Sequence, residues 1–166
     1  MNSKKNKIKI VLYEPRIPQN TGNIGRLCAA NNCKLDIIGD LGFQINDTQL
    51  KRAGLDYWEY LEWEYHENKN TYLQKLDKTK VHLLTTKSNI PYTSHTFKEG
   101  DILLFGNETT GIQTKDMTLF KNQWCTIPMP NPNIRSLNLS NSVSIVLYEA
   151  LRQQTVSQTQ TNPTVQ

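Results

Sequence analysis

Short apolar runs alternate with segments of helical periodicity along most of the chain. The apolar runs are bounded by polar turn residues, a pattern typical of buried β-strands. They cover residues 8–13, 35–38, 60–65, 81–85, 102–105 and 124–127. Apolar strands that alternate with helices predict an α/β fold with a mostly parallel sheet flanked by helices.

Apolar residues spaced three and four positions apart predict the helices. Asn138 or Ser140 can cap the start of the last and clearest one. Its apolar positions are Leu139, Val143, Val146, Leu147, Ala150 and Leu151. Three shorter helices are predicted near residues 20–31, 47–54 and 70–76. Asn20 or Thr21 can cap the first of these, and Asp47 can cap the second.

The two ends of the chain lack an apolar period. Residues 1–7 are polar and charged, and we expect them to form a flexible leader. Residues 153–166 are rich in Gln and Thr, so we expect a disordered tail. No linker or repeat divides residues 8–152, which we interpret as one domain, as suits a chain of 166 residues.

Composition narrows the function only slightly. The net charge of +4 permits an anionic partner such as RNA without requiring one. The three cysteines, Cys28, Cys33 and Cys125, form no C-x-x-C pair, and the histidines show no metal-ligand spacing. We therefore expect no disulfide framework and no metal, and free thiols suit a reducing cytoplasm. No apolar run is long enough to span a membrane, so we expect none to do so.

Ligands of parallel sheets bind at the carboxyl ends of the strands, so the loops after the apolar runs are candidate sites. The first loop, residues 15–26, is polar and leads into a helix start, where backbone N–H groups attract anions. Arg26 projects away from the apolar stripe marked by Ile24, so it is either a phosphate ligand or a solvated arginine. Turn chemistry alone explains a weaker candidate, residues 85–88.

The glycine loop, residues 104–112, has the G-x-x-x-x-G spacing of a phosphate loop. However, the phosphate-loop motif requires Lys and then Ser or Thr after the second glycine, and this chain has Ile112 and Gln113 there. The difference disfavours a nucleoside triphosphatase. We expect its glycines to let the backbone approach a ligand closely. Glu108 could face a cation or a ribose hydroxyl, or cap the following helix.

The third loop, residues 127–142, leaves its strand through three prolines and enters the last helix through a dense Ser/Asn cluster. A helix cap needs one such side chain, so the whole cluster favours a ligand site.

Taken in order, these loops resemble the three motifs of the SpoU-type RNA methyltransferases of the SPOUT superfamily. The matching residues are Asn20-x-Gly22-Asn23-Ile24-x-Arg26, then Phe105-Gly106-x-Glu108-x-x-Gly111, then Ile127-Pro128-Met129 with Arg135-Ser136-Leu137-Asn138-Leu139-Ser140. The segments Lys51–Tyr57 and Val146–Ala150 are similar to the branch that methylates the wobble nucleotide of tRNA. The resemblance covers roughly Ile8 to Arg152.

The resemblance implies one α/β domain whose C-terminal part is threaded into a trefoil knot. It implies that S-adenosyl-L-methionine (SAM) binds in the knot, that S-adenosyl-L-homocysteine is the product, and that a homodimer completes the active site. The family's cofactor contacts correspond to Leu84, Thr85, Gly106, Glu108, Gly111, Ile127, Met129, Ser136 and Leu137. Its catalytic positions correspond to Arg26, Glu108, Ser136 and Asn138.

The implied reaction moves a methyl group from SAM to the ribose 2′-OH of the tRNA wobble nucleotide. That nucleotide would be a cytidine or a 5-carboxymethylaminomethyluridine, with leucine tRNAs as the expected substrates. Because a guanidinium resists deprotonation, we expect Arg26 to hold the RNA phosphate and polarise the 2′-OH rather than act as the base. Two alternatives stay open: a SpoU enzyme for another tRNA or rRNA ribose, or a non-catalytic RNA-binding module.

Overall fold

The fold is built around a six-stranded sheet in which all neighbouring strands are parallel. The computed structural model describes residues 7–46 and 57–160, with side chains up to residue 157. The strands are β1 (Lys9–Tyr13), β2 (Lys34–Ile38), β3 (Glu62–His66), β4 (Val81–Leu84), β5 (Ile102–Phe105) and β6 (Trp124–Cys125), in the order β3-β2-β1-β5-β4-β6. Each strand lies within or overlaps a predicted apolar run, so the prediction of a parallel α/β sheet is confirmed.

Four α-helices are described, and none of them is long and apolar enough to cross a membrane. They are α1 (Pro18–Ala30), α2 (Lys69–Lys75), α3 (Thr114–Met117) and α4 (Leu139–Gln160), with 3₁₀ turns at Trp58–Tyr60, Lys78–Lys80, Tyr92–Ser94 and Thr118–Gln123. The helix predicted from Asp47 lies outside the described residues, as does most of the segment Lys51–Tyr57.

Helix α1 begins earlier than its sequence predicts. Pro18 occupies the first turn, where its missing N–H costs nothing, and Ile17 is the N-cap residue without a capping side chain. Asn20 and Thr21, predicted as caps, are buried inside the first turns instead. The cap of α1 therefore has to come from another part of the chain.

Two apolar clusters lie on opposite faces of the sheet, because successive strand residues point to opposite sides. Ile10 and Leu12 of β1 belong to the cluster that also contains buried residues of α1 and α4. Val11 and Tyr13 belong to the other cluster, with Leu73 of α2 and residues of the α3 region. Helices α1 and α4 thus pack side by side on one face.

The prediction that disorder begins at Gln153 is wrong for residues 153–160, because α4 continues to Gln160. The Gln153 side chain accepts a hydrogen bond from the Phe97 N–H at 2.9 Å and donates to the His95 carbonyl at 3.1 Å. Arg152 and Glu149 add an ion pair at 2.8 Å. These polar contacts of the side chains stabilise the end of α4. The prediction considered apolar periodicity alone and therefore did not detect them. Residues 161–166 lie outside the described part of the chain.

A buried polar chain connects β4 with the segment that leads into β5. Nε2 of His82 lies 2.8 Å from Oδ2 of Asp101, and Nδ1 of His82 lies 2.8 Å from Nδ1 of His95. The Phe97 ring packs on His82 with centroids 4.6 Å apart. Burial lowers the pKa of His95, and the neighbouring His82 lowers it further, against a smaller opposing effect of the Trp124 backbone.

We expect the free energy of unfolding to decrease as the pH falls below 6.5, the ordinary pKa of a histidine. There the unfolded chain takes up a proton at His95 while the folded chain resists it, and the loss ends once folded His95 is also protonated. Urea unfolding at about pH 7.5 and about pH 5.5 measures the difference. His95→Gln should show a smaller pH-dependent loss, whereas His66→Gln should retain this contribution. An unchanged loss in His95→Gln would contradict the assignment.

Candidate functional site

A cavity of about 620 Å³ opens beyond the carboxyl ends of β4 and β5 and beside the segment that follows β6. This is the edge at which parallel sheets bind ligands, and the volume is in the range of small-molecule sites. Its walls comprise Ile17, Asn20, residues 84–87, residues 105–112, Met117, Thr126, Ile127, Met129, residues 135–139 and Ser142. The fold therefore joins the start of α1, the glycine loop and the third loop in one place.

All nine residues predicted to contact a cofactor line this cavity. They are Leu84, Thr85, Gly106, Glu108, Gly111, Ile127, Met129, Ser136 and Leu137. Of the four predicted catalytic residues, Glu108, Ser136 and Asn138 also line it, and Arg26 does not. The structure thus brings the second and third motifs together and leaves Arg26 apart.

Arg26 lies on the exposed face of α1. Ile24, two residues earlier, is fully buried, as the apolar stripe predicts. The Cζ atom of Arg26 lies 5.7 Å from the centroid of the Tyr57 ring, in a cation–π contact. The guanidinium is therefore available to an external anion, but the walls of this chain's cavity do not include it.

Glu108 supplies the missing cap of α1. Its Oε2 accepts from the Arg16 N–H at 2.8 Å, and its Oε1 accepts from the Ile17 N–H at 3.1 Å and from Nδ2 of Asn20 at 3.1 Å. A negative charge at a helix N-terminus is further stabilised by the helix dipole. Glu108 therefore caps α1 and not the following helix, which has no side-chain cap, while its predicted contact with a ribose or the cofactor stays a prediction.

Asn138 connects the third loop to the same point. Its Nδ2 donates to Oδ1 of Asn20 at 3.0 Å, while its Oδ1 accepts from the Ser140 hydroxyl at 2.6 Å and from the Asn141 N–H at 3.2 Å. Asn138 is thus the predicted cap of α4 and, through Asn20, a link to α1. Asn20 stands between Glu108 and Asn138 and orders both.

The glycine loop is shaped by contacts with itself. A Cβ atom on Gly106 would lie 2.6 Å from the backbone of Gly111 and 2.7 Å from the Ile112 nitrogen. Gly111 has open space around it but adopts φ +68°, which favours glycine. Gly106 therefore allows the backbone of its own loop to pack closely, and its predicted contact with the cofactor stays a prediction.

The cavity has a positive character that the sequence interpretation did not detect. Lys87 and Arg135 are exposed at its wall, and Glu108 is the one carboxylate among the described lining residues. The charge of Glu108 is directed at three N–H donors of the α1 start. Lys87 belongs to residues 85–88, whose sequence is that of an ordinary turn. Only its position beside the cavity indicates a role in binding.

Two potential nucleophiles near this edge are kept protonated. Burial raises the pKa of the Cys125 thiol to about 12. Burial and then the hydrogen bond to Asp116 raise the pKa of Tyr13 to about 12, with Lys69 acting in the opposite direction. Neither group supplies an anion at neutral pH, so the site is suited to binding and orienting a reaction between ligands.

The parallel sheet and the glycine-bearing polar cavity at its carboxyl edge define a ligand-binding α/β domain of the kind found in nucleotide and cofactor enzymes. The chain matches the model of the SpoU rRNA Methylase family over residues 7–148. This chain belongs to the SpoU methylase family.

Relatives of known activity agree with this membership. The chain is 47% identical over 145 residues to the tRNA (cytidine(34)-2'-O)-methyltransferase of Methylovorus glucosotrophus, covering 87% of this chain and 94% of that protein. A solved structure from work on the 2-OH methylation of C/U34 on tRNA has a TM-score of 0.79 and 38% identity, covering 89% and 96% of the two chains. The SpoU methyltransferase AviRb of Streptomyces viridochromogenes, solved with AdoMet, shares the fold with a TM-score of 0.78 at 23% identity, covering 93% and 63%.

We expect Glu108→Gln to destabilise the protein by about 1.5–3 kcal/mol, the range for hydrogen bonds to a charged group. The carboxylate has two acceptor oxygens, whereas the glutamine amide has one oxygen and one NH₂ group. The NH₂ would face a backbone N–H, and two donors cannot form a hydrogen bond. Guanidinium unfolding measures the loss. Glu67→Gln, which removes an exposed carboxylate in the turn after β3, should stay within about 0.5 kcal/mol of wild type. Equal stability of the two variants would argue against the capping role of Glu108.

Proposed function

We propose that the chain is a SAM-dependent methyltransferase that acts on the ribose 2′-OH of the tRNA wobble nucleotide. The observation that carries this proposal is the cavity in which the second and third SpoU motifs meet beside the start of α1. The names of the relatives support both the reaction and the position. The net charge of +4 suits an RNA substrate.

The lining residues fit SAM. Leu84, Ile127, Met129 and Leu137 offer apolar contacts for an adenine ring and its ribose. Hydroxyl groups of Thr85 and Ser136, with backbone groups of the glycine loop, offer hydrogen-bond partners for the polar edges. Lys87 and Arg135 suit the cofactor carboxylate or a phosphate of the RNA.

When bound, SAM supplies an electrophilic methyl group on its sulfonium. The chain's own task is orientation, because the ribose oxygen must lie in line with the bond that breaks. Asn138 and Ser136 hold the third loop in shape, and Glu108 fixes the glycine loop against α1. Arg26 binds the phosphate beside the target nucleotide and polarises its 2′-OH, since a guanidinium remains protonated and donates in a planar fork.

A homodimer brings Arg26 to a cavity. Within one chain Arg26 lies outside the cavity wall, and in the proposed dimer the second copy supplies it. The exposed face of α4 supports this arrangement, because Ile145 and Tyr148 stay 37% and 56% exposed. Tyr148 lies beside Asn31, at the end of the helix that carries Arg26, with 3.5 Å between its hydroxyl and Nδ2 of Asn31. Burial of this apolar face in a dimer is favourable.

A trefoil knot in the C-terminal part is also proposed. The chain after β4 runs alongside the chain after β6, with Thr85 N–H donating to the Cys125 carbonyl at 2.9 Å and Thr126 N–H donating to the Ile90 carbonyl at 2.8 Å. Strand β5 lies between β1 and β4. The close approach of these two segments beside the cavity supports the proposal of a threaded connection.

The substrate is the finer part of the proposal. We propose wobble cytidine and 5-carboxymethylaminomethyluridine of leucine tRNAs, in the cytoplasm. Mass spectrometry of tRNA nucleosides from cells with and without the protein tests this. Loss of 2′-O-methylation at the wobble position supports it. Loss at another tRNA or rRNA ribose identifies a different SpoU target, and no loss leaves an RNA-binding module.

We expect Arg26→Ala to reduce methyl transfer at least about 100-fold, because it removes the group that orients the phosphate and the 2′-OH. The fold should stay near wild type because Arg26 is exposed, and so should SAM affinity, because the proposed ligand of Arg26 is the RNA phosphate and not SAM. A tritiated-SAM assay with tRNA, together with calorimetry of SAM binding, measures both. Arg16→Ala, which removes an exposed arginine at the start of the same helix, is the control for lost positive charge. Wild-type turnover in Arg26→Ala would refute the role.

A further inference from the structure

The guanidinium of Arg26 packs against one aromatic ring of this chain. Tyr57 places its ring centroid 5.7 Å from Cζ of Arg26. Among the residues that the structure describes, the guanidinium makes this contact and no hydrogen bond or ion pair. Before RNA binds, the Tyr57 ring is therefore the main restraint on the orientation of the Arg26 side chain.

The ring is itself fixed to the helix that carries Arg26. The Tyr57 hydroxyl donates to the carbonyl of Gly22 at 2.8 Å. In an α-helix that carbonyl also accepts the N–H of the residue four positions later, which is Arg26. Helical side chains lean toward the N-terminus, so the Arg26 side chain extends over the turn that contains Gly22. Tyr57 thus reaches the same turn from outside the helix.

We propose that Tyr57 is a positioning residue for Arg26, which holds the guanidinium by its face and leaves its edges free for an RNA phosphate. The inference rests on the proposed function, in which Arg26 is the phosphate ligand. A free arginine samples many rotamers, and ordering it on binding costs affinity. A ring that orders the side chain in advance reduces this cost.

An aromatic partner suits this task better than a carboxylate. A carboxylate would occupy the N–H donors in the guanidinium plane and neutralise the charge that the phosphate needs. A ring attracts the cation through its face, so the five donors remain available. The contact between Tyr57 and Arg26 therefore restricts orientation without competing with the substrate.

The test compares Tyr57→Leu, Tyr57→Phe and a matched control, Tyr65→Leu. Tyr65 is also partly exposed, and its hydroxyl also donates to a glycine carbonyl, that of Gly39 at 3.1 Å. For each variant we would measure kcat and KM for tRNA and for SAM, and the Kd of tRNA at fixed salt. Each Kd is measured again in an Arg26→Ala background.

We expect Tyr57→Leu to lower tRNA affinity and kcat/KM for tRNA about two- to fivefold, as an exposed cation–π contact implies. KM for SAM should not change. Tyr57→Phe should retain most of the affinity because the ring remains, and Tyr65→Leu should match wild type. In the Arg26→Ala background Tyr57→Leu should cause no further loss, because the side chain that it orders is gone.

An equal loss with and without Arg26 would overturn the proposal, as would wild-type tRNA affinity in Tyr57→Leu. The coupling between Tyr57 and Arg26 is measured by tRNA binding, so its result does not depend on methyl transfer. A wild-type protein that binds tRNA with the expected coupling but transfers no methyl group would refute the proposed reaction and leave the positioning role supported. An active wild type without the coupling would refute the positioning role alone.

Discussion

The start of helix α1 is held by a carboxylate that lies 92 residues further along the chain. Glu108 accepts the N–H groups of Arg16 and Ile17 and the side-chain amide of Asn20. Asn20 in turn receives the amide of Asn138, which caps α4. This chain of hydrogen bonds joins the three motif loops, and charge assistance makes the Glu108 bonds the strongest of them. The shape of the cavity depends on it, because these loops form most of its walls.

The arrangement divides the site into two parts with different physical demands. The cavity is built from backbone turns, apolar side chains and short polar side chains, and hydrogen bonds between its loops hold Glu108 and Asn138 in place. Arg26 stands on the exposed face of α1, where only the Tyr57 ring restrains it among the described residues. A cavity for a small molecule and an exposed arginine on another surface suit a reaction between a cofactor and a large RNA.

Much of this could be predicted from local sequence. Each strand lies within or overlaps a predicted apolar run, and the position of the loops after the strands follows from parallel topology. The nine cofactor positions came from motif resemblance, and the structure places all of them around one cavity. The role of Glu108 could not be predicted from the sequence, because its partners are 88 to 92 residues away along the chain. Its neighbours in sequence suggested that it caps the following helix. The continuation of α4 was missed because the side chain of Gln153, rather than an apolar stripe, anchors it.

Sequence by itself determined the α/β class, the strands, the polar loops and the exposed direction of Arg26, because periodicity records which side of an element faces the core. The tertiary structure alone decided which side chains meet. It showed that Glu108 caps α1 and that Gly106 lets the backbone of its own loop pack closely. It also placed Tyr57 against Arg26 and left that arginine outside its own cavity. Contacts between residues far apart in the chain depend on how the elements pack, and no local pattern encodes that packing.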